Sequence, residues 1–488
     1  MHLYTDFLEA RLRDGRGGHA ALLTDTDRVS YRALEARAAA WAARLHAAGA
    51  TPGSRVLLAL PDGSEFVAAF FGALRLGAIA APANPHAPAG LLARLAGYIE
   101  AAVVVTTGTR LGECAADDRP VLTPEDVEAA SAGVPPLHRG SPGDDAVWQF
   151  TSGSSGEPKA VRHSHWAFAA AADAYGRGVL GLVAGDITIA APRLYFGYAM
   201  GANLLFPFSV GASVVLFDER PTPAALGARI ARHRATVLMS TPASLRQMTL
   251  ASDITPGQLA SLRVATSAGE ALPDGVAAAW SARFGTPVLD GLGMTETCHI
   301  VISNRIGAIV PGSLGQPVPG YEVRVCDHAG VGVPDGEPGE LWVRGPSVAQ
   351  GYWQRPEAEA RVFRDGWCVP GDMVRRLPGG GVEFCGRADD MLKVNGQWVA
   401  PRVVEECLLT HPAVREAAVV GVRDDDGLVR PHAIVVADHL SGSLTGELQA
   451  LVRARLAPHA HPRGVTYVGA LPRTATGKID RAELLTLI

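Results

Sequence analysis

Between residues 34 and 105 the chain alternates helix-like and strand-like segments so regularly that few architectures can accommodate it. Residues 34–48 are rich in Ala and Leu with Arg37 and Arg44 interspersed, the pattern of an amphipathic helix, and Gly49-Ala50-Thr51-Pro52-Gly53 stops it. Residues 55–60 read as a buried strand, 65–76 as a helix, 77–82 as a strand, 91–100 as a helix and 102–105 as a strand. The rhythm returns at 211–217, in a helix through Ile230, and at 236–239. Apolar strands separated by helices predict parallel sheets covered by helices, an α/β fold with a large doubly wound region. After about residue 310 short strand runs (322–325, 339–344) between Gly/Pro/Asp turns predict a small β-rich subdomain over about 310–386. Beyond 387 a helix (403–410) and strands (417–422, 433–436) predict a small α+β domain. The expected division is 1–387 and 388–488.

The 488 residues are too many for one ordinary domain, and 48% hydrophobic against 19% charged residues argues for compact folding throughout. A formal charge of −5 offers no global attraction for nucleic acid or an anionic membrane, so neither is an expected partner, and an anionic ligand must be held locally. The six cysteines contain no C-x-x-C pair, which argues against a zinc knuckle and a disulfide framework and fits a reducing cytoplasm. Asp6 interrupts any signal-peptide pattern at the start, and no run reaches ~18 uninterrupted apolar residues.

Phe150-Thr151-Ser152-Gly153-Ser154-Ser155-Gly156-Glu157-Pro158-Lys159 sets hydroxyls, glycines and a lysine between two structured segments. Glycine lets backbone N–H groups turn inward around an anion, hydroxyls add neutral donors and Lys159 adds a point charge, so this run suits phosphate. A polar linker would not follow the strand-like 146–150. The spacing is neither that of a Walker A loop nor that of a nucleophile elbow.

Four further segments gain meaning from their order. Ser267-Ala268-Gly269-Glu270-Ala271-Leu272-Pro273 follows strand-like 262–265 and could offer bare backbone to a flat ring, or form an ordinary strand-end turn. Asp290-Gly291-Leu292-Gly293-Met294-Thr295-Glu296 places a hydroxyl beside a carboxylate, a pair suited to a phosphate oxygen and its Mg²⁺, or to a solvated loop. Gly371-Asp372 puts in a tight turn a carboxylate able to accept from two ribose hydroxyls, although Gly-Asp is a common turn dipeptide. Near the end, residues 472–481 carry Lys478 on a Gly/Thr loop.

Together these segments resemble the adenylate-forming superfamily of acyl-CoA synthetases, carrier-protein adenylation domains and luciferases, over nearly the whole chain. The resemblance implies that residues 151–159 (Thr151, Ser152, Gly153, Ser154, Ser155, Gly156 and Lys159) handle the pyrophosphate end of ATP. It implies that Ser267, Gly269, Glu270, Ala271, Asp290 and Gly291 flank adenine, that Thr295 contacts the α-phosphate, that Glu296 binds Mg²⁺, and that Asp372 holds the ribose with help from Arg387. Asp389 would be a hinge pivot, and Lys478 would bridge the reacting carboxylate and the α-phosphate. A carboxylate would attack the α-phosphorus, pyrophosphate would leave, and a second nucleophile would attack the acyl-AMP. The small C-terminal domain would be mobile, presenting Lys478 for the first step and the 389–396 loop for the second. Leu292 stands where relatives often carry an aromatic residue.

Residues 193–201 and 296–300 resemble the pocket segments of benzoate-CoA ligases, and residues 315–321 and 389–394 continue the likeness. Tyr195, Phe196, Gly197, Tyr198, Gly293, His299, Ile300 and Lys393 are the pocket candidates, with Tyr198 as wall and Ile300 as floor for an aryl carboxylic acid; Tyr195, Phe196 and Tyr198 can also be read as core packing. That pattern commonly carries alanine at the position of Gly197, and its loss implies room for a substituted or bicyclic acid. Coenzyme A is the expected acceptor, with an amine (giving an amide) or a carrier-protein thiol as alternatives.

Overall fold

The structure, a computed structural model, describes every residue except 115–117, 129–132, 153–157, 274, 395–396, 425–427 and 474–478; of Glu128, Ser152, Gln397, Trp398 and Ala482 it describes the backbone. The chain packs into two units, Met1–Val323 with Trp342–Pro370, and Arg324–Leu341 with Gly371–Ile488.

The first unit holds the two open sheets that the alternation predicts. One runs in the order Val121–Leu122, Val103–Thr106, Arg55–Ala59, Ile79–Pro82, Asp145–Ser152, Pro158–Ser164; every pair is parallel except the last, which is an antiparallel hairpin. The other has nine strands, with Val288–Gly293, Val264–Ser267, Val237–Ser240, Ile187–Ala190, Ser213–Val215 and Ala20–Leu23 parallel at its centre. Apolar strands of this kind bury both faces, and Ile189, Leu238 and Ala265 are solvent-free in a core closed by Trp280 and Phe284.

Local signals set the helix boundaries. The helix Tyr31–Ala47 starts three residues earlier than its periodicity suggests because Ser30 caps it, accepting from the Ala33 N–H at 3.2 Å. The helix Ser64–Leu76 ends at Gly77, whose φ of +78° is the left-handed closure glycine supplies. These two helices touch at Gly72, where a methyl would lie 2.6 Å from Trp41 Cβ. The stretch read as a strand over 211–217 is one only at Ser213–Val215, since the chain is still turning out of the short helix Phe206–Val210 at Gly211.

In the second unit residues 338–340 pair antiparallel with Asp372–Arg376, which folds back on Val382–Arg387. A three-stranded sheet, Val414–Arg423, Val429–Ala437 and Gly464–Tyr467, follows. The helices Pro401–Leu409 and Leu444–Arg455 cover one of its faces with Val404, Leu408, Leu448 and Val452. Fold class therefore agrees with the sequence, α/β sheets followed by a smaller α+β body. Among the described residues no helix is long and apolar enough to cross a membrane.

Candidate active site

Register brings the phosphate-run residues together. In the hairpin Asp145–Ser152/Pro158–Ser164, Thr151 stands opposite Lys159 and Ser152 opposite Pro158. Register thus sets the Thr151 hydroxyl across from the Lys159 ammonium, while Gly153, Ser154, Ser155 and Gly156 lie outside the described residues. The Lys159 ammonium sits 5.1 Å from the centroid of the Tyr352 ring, an attractive cation–π distance.

Tyr352 is also bound to the candidate metal ligand. Its hydroxyl donates to Glu296 Oε1 at 2.6 Å, while the Ala349 N–H donates to the Glu296 carbonyl at 2.8 Å. Glu296 occupies a single helical turn, Thr295–Thr297, pinned further by the Ser347 hydroxyl on the Thr297 carbonyl at 2.6 Å. Gly293 explains how the chain reaches this turn: a methyl there would lie 2.7 Å from the backbone of both His299 and Ile300. A lone carboxylate with one oxygen already oriented fits Mg²⁺, which takes one or two protein carboxylates and completes its shell with water and substrate phosphates. Among the described residues no cluster of three or more acidic, His or Cys groups could hold a metal by itself.

Ser267 and Asp290 are register partners where the parallel pairing of their two strands ends, on the carboxyl side of the parallel sheet, the edge where open α/β sheets hold ligands. Just beyond, Gly269 has a φ of +91° and no atom within 4 Å of a would-be Cβ, so its backbone lies open. Glu270 is exposed and Ala271 half-buried beside it, whereas Gly291 is buried with Ile302 O 2.9 Å from its missing methyl.

Two of the acid-pocket candidates, Tyr198 and His299, belong to one aromatic cluster. His299 is 3% exposed, its Nε2 lies 3.0 Å from the Tyr198 carbonyl, and its ring packs on Tyr175, Tyr198 and Phe206. Burial lowers its pKa to about 4, so at neutral pH it is an uncharged imidazole. The Tyr198 hydroxyl shares a hydrogen bond with Thr266, and burial pushes its pKa up. Tyr195 and Phe196 lie ring to ring at 4.4 Å, and Ile300 is buried. The backbone here is held by Asp62, a residue the sequence did not single out: its carboxylate accepts the Leu194 N–H at 3.1 Å, and burial raises its pKa to about 7. The room expected at Gly197 is filled, since a methyl there would lie 2.7 Å from the carboxamide of Gln149.

In the second unit Asp372 and Arg387 are register partners, with Arg387 Nη1 donating to Asp372 Oδ1 at 2.8 Å. Asp372 is buried and thereby pre-oriented. Asp389 is exposed in the turn Ala388–Asp390, and Lys393 is exposed on the strand Leu392–Val394. Lys478 lies outside the described residues.

Tyr352 escaped the sequence reading because nothing local marks it. One compositional signal was available: of 44 basic residues only three are lysines, Lys159, Lys393 and Lys478, and all three fall in the segments singled out above. Where charge alone suffices this chain uses arginine, so a retained ammonium marks a place that needs a compact, strongly solvated cation.

The AMP-binding enzyme family profile matches residues 9–353, and that of the AMP-binding enzyme C-terminal domain matches residues 403–478. A benzoate–CoA ligase of Thauera aromatica is 38% identical over 98% of this chain and 94% of its own. The crystal structure of a benzoate CoA ligase from Burkholderia xenovorans superposes with a TM-score of 0.91 at 37% identity, covering 99% of both chains. An amide bond synthetase of Marinactinospora thermotolerans superposes with a TM-score of 0.89 at 29% identity, again covering 99% of both.

Proposed function

We propose the reaction from one premise: the chain belongs to the AMP-binding enzyme family. It activates an aryl carboxylic acid with ATP, releasing pyrophosphate to give the acyl-AMP, and then transfers the acyl group to the thiol of coenzyme A. The observation that carries this reading is Tyr352, which binds the Glu296 carboxylate with its hydroxyl and takes the Lys159 ammonium on its ring. Lys159 and Thr151 then face the pyrophosphate end of ATP, and Thr295 the α-phosphate. Glu296 would hold Mg²⁺, which when bound adds positive charge beside the phosphate oxygens. The open backbone at Gly269 and the Ser267/Asp290 pair suit adenine, and Asp372, fixed by Arg387, accepts from the ribose hydroxyls. Little covalent work falls to the protein in the first step, so rate comes from alignment and charge. The uncharged His299 and its aromatic neighbours favour a flat ring over a flexible chain, and Lys393 is assigned to the acid or its acceptor through the likeness of its own segment, 389–394, to that of benzoate-CoA ligases.

The alternative acceptors are an amine, in an amide-forming second step for which the likeness to the amide bond synthetase is the support, and a carrier-protein thiol. The test is to incubate the protein with ATP, Mg²⁺ and a panel of aryl and alkyl acids, follow pyrophosphate, then add coenzyme A or an amine and identify products by mass spectrometry. Aryl-dependent pyrophosphate and a thioester are expected. An amide formed without coenzyme A would overturn the acceptor, and no pyrophosphate with any acid would overturn the enzyme.

Two predictions follow from particular contacts. Tyr352→Phe removes the hydroxyl that orients Glu296 while keeping the ring under Lys159, so kcat/KM should fall about 10-fold, the usual cost of losing a group that orients a metal ligand. The fall should shrink at high Mg²⁺; a Mg²⁺-independent loss would place Tyr352 elsewhere in the reaction. Asp389 is the proposed pivot for a rotating domain beginning at 388, which carries Lys478 toward the α-phosphate in one half-reaction and away in the next. Asp389→Pro, which fixes φ at an exposed turn, should slow thioester formation several-fold more than acyl-AMP formation. Equal slowing of both steps would argue against a pivot there. The six cysteines, all free and buried, suit a reducing compartment such as the cytoplasm.

A further inference from the structure

Gln149 lies on the strand Asp145–Ser152 opposite Val161, and the period of two turns it to the face opposite Trp148. It is 2% exposed, and among the described residues neither Oε1 nor Nε2 of its carboxamide has a hydrogen-bond partner. A side chain at Gly197 would begin 2.7 Å from one of these atoms and 2.9 Å from the other, so the carboxamide fills the space that the missing side chain leaves. Gly197 sits between Phe196 and Tyr198, half-buried, at the start of the turn Gly197–Met200. The aromatic cluster around it contains the neutral His299, whose Nε2 already meets the Tyr198 carbonyl.

A buried amide with neither end bonded is unfavourable, and leucine would fill the same strand position without that cost. The arrangement makes sense if the partner arrives with the ligand. A carboxamide both donates and accepts, which matches a hydroxyl or an amino group and matches nothing on a bare or alkylated ring.

We propose that the Gln149 carboxamide, which occupies the space a side chain at Gly197 would take, is a polar selection site in the acid pocket that hydrogen-bonds a hydroxyl or amino substituent on the ring of the aryl acid. The preferred substrates are then hydroxy- or aminoaryl acids rather than benzoate or its methyl derivatives. This rests on the proposed function, which supplies the aryl acid and places residues 195–198 against it. A methyl group of matching size leaves the carboxamide unpaired, so discrimination of about 10- to 100-fold in kcat/KM is expected.

The experiment measures pyrophosphate release by the full-length protein with benzoate and with the 2-, 3- and 4-isomers of hydroxybenzoate, aminobenzoate and toluate, for the wild type and Gln149→Leu. The wild type should favour at least one hydroxy or amino acid over the toluate substituted at the same position. Gln149→Leu should level or reverse that preference without a lower Tm, a substrate-specific change that a purely structural role would not produce. Gln149→Met serves the same end if the leucine variant fails to fold. Activity with every ring acid and no polar preference, or a preference that survives both substitutions, would overturn the selection site and leave the aryl reading intact. Release with alkyl acids alone would overturn the aryl reading and the selection site with it.

Discussion

Lys478→Ala should lower the rate of acyl-AMP formation by about 10²- to 10³-fold, the usual cost of removing one preorganised charge from a developing anion. The proposed reaction asks the protein for charge at the α-phosphorus, and the chain has only three lysines with which to supply it as an ammonium. Lys478→Arg is the informative companion, because this chain places arginine at its other 41 basic positions, so an arginine that rescued the rate would mean that charge alone is needed there. The expected result is little rescue, since a planar guanidinium cannot bridge a carboxylate and a phosphate oxygen in the space of an ammonium. Thermal stability should be unchanged in both variants. A Tm that falls in step with the activity would make Lys478 a structural residue.

Acidification should destabilise the first unit steeply below pH 6.5. His2, His163 and His299 have their pKa values lowered to about 4, and His165 to about 3, chiefly because burial disfavours the imidazolium; His138 adds to the lowering at His2, and His2, at a ring separation of 3.8 Å, to that at His165. With folded values below the unfolded ~6.5, the unfolded chain binds these protons first, so stability is lost as pH falls from 6.5 toward 4, by about 1.4 kcal/mol per pH unit for each imidazole. Asp62 acts in the opposite sense over the same window: its folded pKa of about 7 lies above the unfolded carboxylate value, so the folded form takes up its proton first and offsets one imidazole. A net uptake of up to three protons remains. Urea midpoints measured from pH 7 to 4.5 should therefore drop sharply, and a flat profile would refute the picture of four buried neutral imidazoles.

What could be read in advance divides along chain distance. The doubly wound sheets follow from runs such as 55–60 and 103–105, where apolarity and length leave little choice; at Thr151/Lys159 the sequence marked the strand-like 146–150 and the hydroxyl and glycine run, but not the antiparallel return of Pro158–Ser164. The strands Ala20–Leu23 and Arg28–Ser30 were missed because, at four and three residues, they are too short to carry a periodic signal of their own. Tyr352 and Gln149 were missed for a different reason: each matters through a residue far away in the chain, Glu296 for one and Gly197 for the other, and a contact of that kind exists only once the register is set. The glycine at 197 was noticed, but a missing methyl was read as empty space, whereas a close-packed interior hands such space to a neighbour. The family's functional pattern was legible because its motifs keep their order along the chain, and the carboxylate-orienting tyrosine was not, because it belongs to no motif.

The sparse lysines and the buried thiols bear on a hazard that comes with this chemistry. An acyl adenylate acylates any accessible thiolate or free amine, including those of the protein that makes it. All six cysteines are buried, and for Cys114, Cys298, Cys326, Cys385 and Cys407 burial raises the pKa, to about 11 at Cys385, so the reactive thiolate is scarce at neutral pH. Guanidinium groups, which make up the rest of the basic surface, stay protonated and do not attack. The molecule thus presents its own intermediate with few nucleophiles apart from the acceptor it is meant to meet, and a mixed anhydride that escapes transfer is left mainly to water rather than to self-modification.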